Sequence, residues 1–460
     1  MNAYAEKDPS DGEYWIYKRL GIAPNPLFSI PAGFPGGVYQ YQPFGQIISV
    51  VGGNIYVAGN IVGTIQTGYQ CWFETVNSNP QTVVIMNQFG GVIYTPVTQA
   101  VVEITDPVYP SQTVPGWAYL DGTLYVMDLT GNIWGTHTVN NAAVWDGLNV
   151  IPASTKADQG VFLATQLTYV IAFKQWTTQI FYDAENPTGS PLSPVPDAQI
   201  PYGCMHANSV QKIDEILLWM TSNQTISPQI AIMENLSPKI ISTPSIERVL
   251  DNILINTGAP VINDRGIVSW SLKHAGHRFY GLTLTLMNIT LVYDIDQGLW
   301  YLWLDSSGNY WPVANFTYTQ PTENTQTTGA HLGQIIGSNT AGVEGSIYEV
   351  DGDYEYPNDL GTLYSVDIYT PNFTGGTTRR KTLNNMYFEA DQVAGSTLQA
   401  RYSDNDYKSW TNFRTIDLNR ERPFLDQEGT FTRRAYHFRH RANTQFRIKA
   451  SDLQMDLGTL

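Results

Sequence analysis

Residues 123–137, TLYVMDLTGNIWGTH, decide the fold: a short alternating run of β-branched and aromatic residues, broken by Asp, Gly and Asn, reopens as a second such run. That is the pattern of half-buried strands joined by a tight turn. The same reading applies to NIYVAGNIVGTI at 54–65, FYGLTLTLMNITLVYDI at 279–295 and GSIYEV at 345–350. One short helix is predicted near 244–255, with Thr243 as N-cap, Pro244 at the first helical position and Glu247 facing the positive end of the helix dipole. A single short helix cannot cover a parallel sheet, so doubly wound and barrel α/β folds are excluded and the fold class is all-β.

A weak repeat organises these strands. Gly53-Asn-Ile-Tyr56, Gly91-Val-Ile-Tyr94, Gly122-Thr-Leu-Tyr125 and Gly345-Ser-Ile-Tyr348 share Gly-x-aliphatic-Tyr, with first intervals of 38 and 31 residues. Glycine at a hairpin tip permits positive φ, and the following alternation re-enters a strand. Spacings of roughly 30 to 45 residues suit four-stranded propeller blades. The plainer reading is an antiparallel sandwich. The expected architecture is a β-propeller-like body of four-stranded antiparallel blades.

Composition points to assembly. With 42% apolar and 12% aromatic residues the chain is neither disordered nor a coiled coil. Only 14% of its residues are charged, against about 25% in an ordinary domain, so solubility rests on Asn, Gln, Thr and Ser. Net charge is −16, which argues against a chain-wide grip on phosphate or anionic membrane. No Lys or Arg occurs between Arg19 and Lys156, whereas residues 379–449 hold 14 of the 25 basic and 8 of the 41 acidic residues. That segment is +6 and the remainder is −22. Pro371, Gly375 and Gly376 precede it, predicting a body over 1–375 and a C-terminal basic β-unit over 376–460, with a much-altered closing blade as the other reading of that unit.

Cys71 and Cys204 lie far apart with no CxxC, so buried thiols are expected rather than a disulfide framework or a zinc cage. No apolar run approaches ~18 residues and the N-terminus has no apolar core, so neither a signal peptide nor membrane insertion is expected and folding is placed in a cytoplasm. Asn288, Asn315 and Asn372 then carry no glycosylation meaning.

Three segments resemble a known family. RYSDNDYKSWTNFRTIDL at 401–418, followed by FTRRAYHFRHRANTQFRIKAS at 431–451, is similar to the end of the tail-hub (nozzle) or packaged-DNA stabilisation proteins of short-tailed bacteriophages. Ser403, Asn405, Ser409 and Trp410 match the family's turn, with Tyr407 where Gly is usual, and Arg433, Arg434 and Arg439 fall on its basic strand. IISTPSIERVL at 240–250 and GHRFYGLTLTLMNITLVYDIDQGLWYLW at 276–303 resemble its central blades. NAYAEKDPSDGEYWIYKRLGI at 2–22 resembles its opening, where a further strand usually comes first, so the resemblance places Met1 late.

The resemblance implies a non-enzymatic virion protein of the phage tail, assembled in the host cytoplasm. Its copies would form a homohexameric ring below the portal and its adaptor, binding that adaptor and a distal tail protein, needle or fibre. The ring would close the filled capsid and let double-stranded DNA pass without tight binding. The alternative, from another class, is a carbohydrate-binding or glycan-cleaving β-propeller.

Chemistry candidates each have a plainer reading. His274 and His277 form an HxxH, but on a loop entering a strand this spacing does not converge on a metal as it does on a helix, and an exposed turn is expected. Asp351, Asp353 and Glu355 offer oxygens for calcium, yet the EF-hand register is missing and a solvated hairpin is expected. Asp404 and Asp406 beside Trp410 resemble the hairpin boxes of sialidase-like propellers, which are turn devices. A glycosidase needs two carboxylates about 5 to 9.5 Å apart across a groove, which scattered acids do not establish. There is no GxSxG elbow, P-loop or Rossmann fingerprint, and no cofactor is expected.

Two sets of residues are predicted to matter. Arg433, Arg434 and Arg439 are candidate interface anchors toward acidic partners, with alternation placing Arg433 and Arg439 on one face and Arg434 on the other, so that not all three need be interfacial. The polar run 317–329, with Pro321, Glu323, Asn324 and Gln326, is a candidate channel or gate loop, its ordinary reading being a surface loop between blades.

Overall fold

Strands that alternate and turn every few residues must pair with their sequence neighbours, and they do. The computed structural model describes the chain except residues 154–155, 197, 223–226, 253–265, 320–329, 337–342, 352–356 and 459–460. Pro35–Tyr41, Gln46–Val51, Asn54–Val57 and Asn60–Thr64 form an antiparallel sheet in chain order, blade 1. Blades 2 to 6 follow the same rule over residues 72–103, 118–152, 160–194, 203–240 and 267–303. Blade 5 divides its first strand into Gly203–Cys204 and Gln211–Ile213, both on Ile216–Ser222.

Blade 7 differs. Val313–Thr319, Ala330–Ile335 and Ile347–Asp351 supply three strands, and its outer strand is Gly21–Ile22 from the other end of the chain, with Gly21 opposite Asp351 and Ile22 opposite Val350. Its first strand packs against the first strands of blades 6 and 1, so the seven blades close a ring. The body is a β-propeller.

The Gly-x-aliphatic-Tyr repeat marks strands inside blades. Tyr56, Tyr94 and Tyr348 lie on third strands and Tyr125 on a second strand, all buried. The 38-residue interval is therefore one blade period, and the 31-residue interval is a period shortened by one strand. Gly53, Gly122 and Gly345 have φ of 84°, 81° and 81° as expected, whereas Gly91 lies within a strand and lacks a positive φ.

Apolar faces meet between neighbouring blades. Ile48, Val50 and Ile55 of blade 1 pack on Val83, Ile85 and Tyr94 of blade 2. Trp270 and Trp303 of blade 6 meet Trp311, just before blade 7, with ring centroids 5.1 to 5.6 Å apart. Gly281 is required there, because a Cβ at that position would sit 2.0 Å from the Trp270 ring.

The remaining strands form a two-sheet sandwich. One sheet runs Ala3–Lys7, Tyr14–Lys18, Arg447–Leu457, Lys381–Ala390, Phe424–Phe431; the other runs Val366–Tyr369, Ala435–His440, Thr397–Ser403, Arg414–Asp417. Leu383, Met386, Leu398, Ile416 and Phe438 fill the space between them. Pairing thus places residues 3–18 and 366–369 with the C-terminal unit, outside the 376–460 span expected for it. The closing blade belongs to residues 313–351 and 21–22 instead. The chain starts in the sandwich, closes the propeller, circles it and returns.

The helix spans Pro244–Leu250, shorter than the 244–255 expected, with Asp251 as its C-cap. Thr243 is extended and its carbonyl accepts the Glu247 N–H at 2.9 Å, while Glu247 Oε1 accepts from Ser242 and Gln229. No described helix is long and apolar enough to cross a membrane. Pro321, Glu323, Asn324 and Gln326 lie outside the described residues. The strands flanking that run pair with each other up to Thr319 and Ala330, so it joins two strands of one blade rather than two blades.

Candidate assembly surfaces and channel

The first strands of the blades and the segments leading into them meet near the propeller axis, where polar groups bond. Gln70 Nε2 donates to Asn315 Oδ1 at 2.7 Å, Gln211 Nε2 donates to the Ser269 carbonyl at 3.0 Å, and the Ser269 hydroxyl donates to the Asn208 carbonyl at 2.5 Å. The cavity among these groups is about 60 Å³. That is room for a few waters.

The joint between propeller and sandwich is built on Arg19, which is 0% exposed. Its Nη atoms donate to both oxygens of Asp359 at 2.9 and 2.5 Å, Nε donates to Asn2, and carbonyls of Leu20 and Leu304 accept the rest. The guanidinium stacks 3.7 Å from the Tyr364 ring centroid. All its donors are directed, as the planar fork allows. Beside it, buried Lys18 donates to the Pro357 and Ala442 carbonyls. Burial and the adjacent Arg19 charge pull its pKa down to about 7.

The three arginines expected as anchors have separate fates. Arg434 is 0% exposed: Nε and Nη2 grip Asp404 at 2.7 and 2.9 Å, Nη1 donates to the Glu428 carbonyl, and the Tyr402 ring lies 3.6 Å away. It is spent inside the sandwich, which corrects its expected place at an interface. Arg433, 52% exposed, pairs with Asp406, and Arg439, 27% exposed, pairs with Asp367 at 2.8 Å. Burial opposes ionisation of Asp367, but His437, Ser365 and Arg439 hold its carboxyl well below the usual carboxylate range.

Other arginines of the same unit are free. Arg379, Arg380, Arg420, Arg422 and Arg441 are exposed and carry no ion pair among the described residues. Arg422 lies 4.0 Å from the Tyr387 ring centroid and Arg420 5.8 Å from that of Phe424. Sequence reasoning passed over this pair; the visible signal was the RERPF string at 420–424, where basic residues abut an aromatic.

The Ser403 to Trp410 turn has the geometry its residues imply. Asp406 and Tyr407 have φ of 58° and 64°, so Tyr407 takes the left-handed conformation that Gly ordinarily supplies. Asn405 Oδ1 accepts from the Ser409 N–H and from the Ser403 hydroxyl, and Ser403 Oγ accepts from the Tyr407 N–H. A related device recurs at Asp128, which accepts from the Thr130 and Asn132 N–H groups and from Trp134 Nε1. These carboxylates and amides close turns.

His274 and His277 flank an Ala275-Gly276 turn and face each other across the hairpin, but both rings are buried, correcting the expected exposed turn. Tyr4, from the sandwich, covers them edge-on. His277 Nδ1 lies 2.7 Å from Asp294. Burial disfavours its imidazolium, yet Asp294 raises its pKa overall. No group of three or more metal-ligating side chains occurs among the described residues, and Asp353 and Glu355 lie outside them. Cys71 and Cys204 are buried, their thiols pushed up to about 12 by burial.

Residues 29–338 match the family model described as Bacteriophage P22 Gp10, β-propeller. No curated protein matches the chain. Among solved structures, the N-terminal domain of Nup159 is similar at 10% identity with a TM-score of 0.40, covering 76% of this chain and 97% of that one. U3-55K is similar at 10% identity and a TM-score of 0.42, covering 71% and 97%.

Proposed function

Because this chain belongs to the phage family of Bacteriophage P22 Gp10 β-propellers, and is a structural phage protein of the packaged-DNA stabilisation class, we propose that it works as a ring of copies in the tail. Six copies surround the DNA path below the portal and its adaptor, close the filled capsid and carry a distal tail component. The observation that supports a ring is the side-chain bonding between non-adjacent blades at the propeller centre. Gln70, just before blade 2, reaches Asn315 of blade 7 at 2.7 Å, which leaves no bore for a duplex whose major groove alone is about 12 Å wide. DNA must therefore run between copies rather than through one.

Charge supports passage without grip. Tight phosphate contacts come from Lys and Arg, and blades 1 to 3 have none. Cryo-electron microscopy of complete particles tests the reading: six copies around the tail axis, between adaptor and distal tail, are expected. Density for the chain on the capsid shell, or a single copy on the axis, would overturn it. Duplex binding is a second check, with no retention of DNA by the purified protein expected at moderate salt.

A further inference from the structure

The outer strands of blades 1 and 2 are exposed edges that carry no Lys or Arg. Asn60–Thr64 and Ala100–Glu103 border a groove of about 630 Å³ lined by Thr64, Gln66 and Thr67 as well as Val62 and Val101, with Glu103 at its margin. Ile61 and Val102 are each 60% exposed beside it. Exposed edge strands are usually guarded by Lys or other charges, and residues 20–155 contain no Lys or Arg at all. Glu103 is exposed and has no ion pair among the described residues. A mixed polar and apolar groove with exposed Ile61 and Val102 beside it and an unpaired acid at its margin suits a cation carried on an aromatic body.

The sandwich presents one. Arg420 and Arg422 project without carboxylate partners over Phe424 and Tyr387, whose rings lie 6.0 Å apart and of which Phe424 is 39% exposed. Arginine and aromatic side chains are the residue types that dominate interface energetics.

We propose that the Arg420, Arg422 and Phe424 patch of one copy docks in the blade 1 and 2 groove of the next, opposite Glu103. This rests on the ring reading and names its contact. The two patches differ, so the contact is head-to-tail and propagates around a ring that closes. Charge complementarity selects a second copy as the occupant: the same chain carries the +6 segment and the Lys-free and Arg-free blades.

A charge swap on the full chain tests it, read by sedimentation with melting curves as the folding control. Arg420→Glu with Arg422→Glu in one chain, and Glu103→Arg in another, should each melt like wild type and weaken self-association by at least about tenfold, the effect of one hot-spot residue. Mixing the two restores association, because each patch then meets an opposite charge. Variants that associate as well as wild type overturn this contact alone, whatever adaptor or DNA binding they have lost. Wild type that stays monomeric both alone and on its adaptor overturns the ring reading itself.

Discussion

Blades 1 to 3 and the C-terminal sandwich are both antiparallel β-structure, yet they are held together by different means. The blades close on apolar contacts such as Ile48, Val50, Val83 and Ile85, with no basic side chain between Arg19 and Lys156. The sandwich adds to its apolar layer a lattice of arginines, carboxylates and aromatic rings around Arg434, Asp404, Asp367 and His437. Apolar packing rewards approximate fit, whereas a buried ion pair costs desolvation and rewards only one geometry. The sandwich is accordingly where the chain specifies how its two ends meet. The blades supply a large, electrically quiet body.

The largest effect should come from the joint. Arg19→Ala leaves Asp359, 5% exposed, without its cation, and loss of one partner of a buried pair costs about 3–5 kcal/mol. Urea unfolding should show a stability loss of that size affecting both units, since the same chain segment closes blade 7. A loss confined to sandwich strands in hydrogen exchange would separate the units energetically and weaken the comparison.

Within the blades, Ile85→Ala should cost about 2–5 kcal/mol through the cavity it leaves, with no dependence on salt. Arg434→Ala should cost about 2–3 kcal/mol, below the full buried-pair value because Asp404 is 40% exposed and recovers water. If raising salt to 1 M shrinks the Ile85→Ala loss, the apolar account of the blades fails and with it the contrast between the regions.

Acidity separates the regions in sign. Asp367 has a depressed folded pKa, so its contribution is present above the ordinary carboxylate value near 3.8 and is lost as pH falls through its folded pKa. His277 has a raised folded pKa, so its contribution is full below about 6.5 and is lost as pH rises through its folded value. Asp367→Asn should flatten the acid limb of the stability curve and His277→Gln the limb above about 6.5. Exchange of those two effects would reverse the assignment.

Much of the body was legible because its information is local. Alternation, turn residues and the Gly-x-aliphatic-Tyr spacing all act within a blade, and they pointed to four-stranded sheets in series. Gly21–Ile22 was not legible as the outer strand of blade 7, since two residues carry no periodicity and their partners lie near 350. The same non-local pairing hid the joining of residues 3–18 to the sandwich. His274 and His277 looked like an exposed turn because the covering Tyr4 lies some 270 residues away in sequence. Among the arginines, Arg434 is buried while Arg433 and Arg439 are partly exposed, but Arg433 and Arg434 precede the strand Ala435–His440, so alternation did not decide their fates. Which face was outward depended on the opposing sheet, so the buried member could not be named beforehand.

The smallest expected effect is at Arg433, and its neighbour gives it meaning. Arg433 and Arg434 adjoin in sequence, each pairs with an aspartate of the same turn, and their side chains are 52% and 0% exposed. An exposed ion pair gains little in high dielectric and spends side-chain entropy to form, so Arg433→Ala should cost no more than about 1 kcal/mol. That cost should vanish at 1 M salt, where the Debye length falls to about 3 Å. The Arg434→Ala loss should persist there, because its guanidinium is shielded from counterions and its removal also strips the stacking on Tyr402. Equal losses at the two positions, or equal salt sensitivity, would show that charge rather than burial sets the role of arginine in this sandwich.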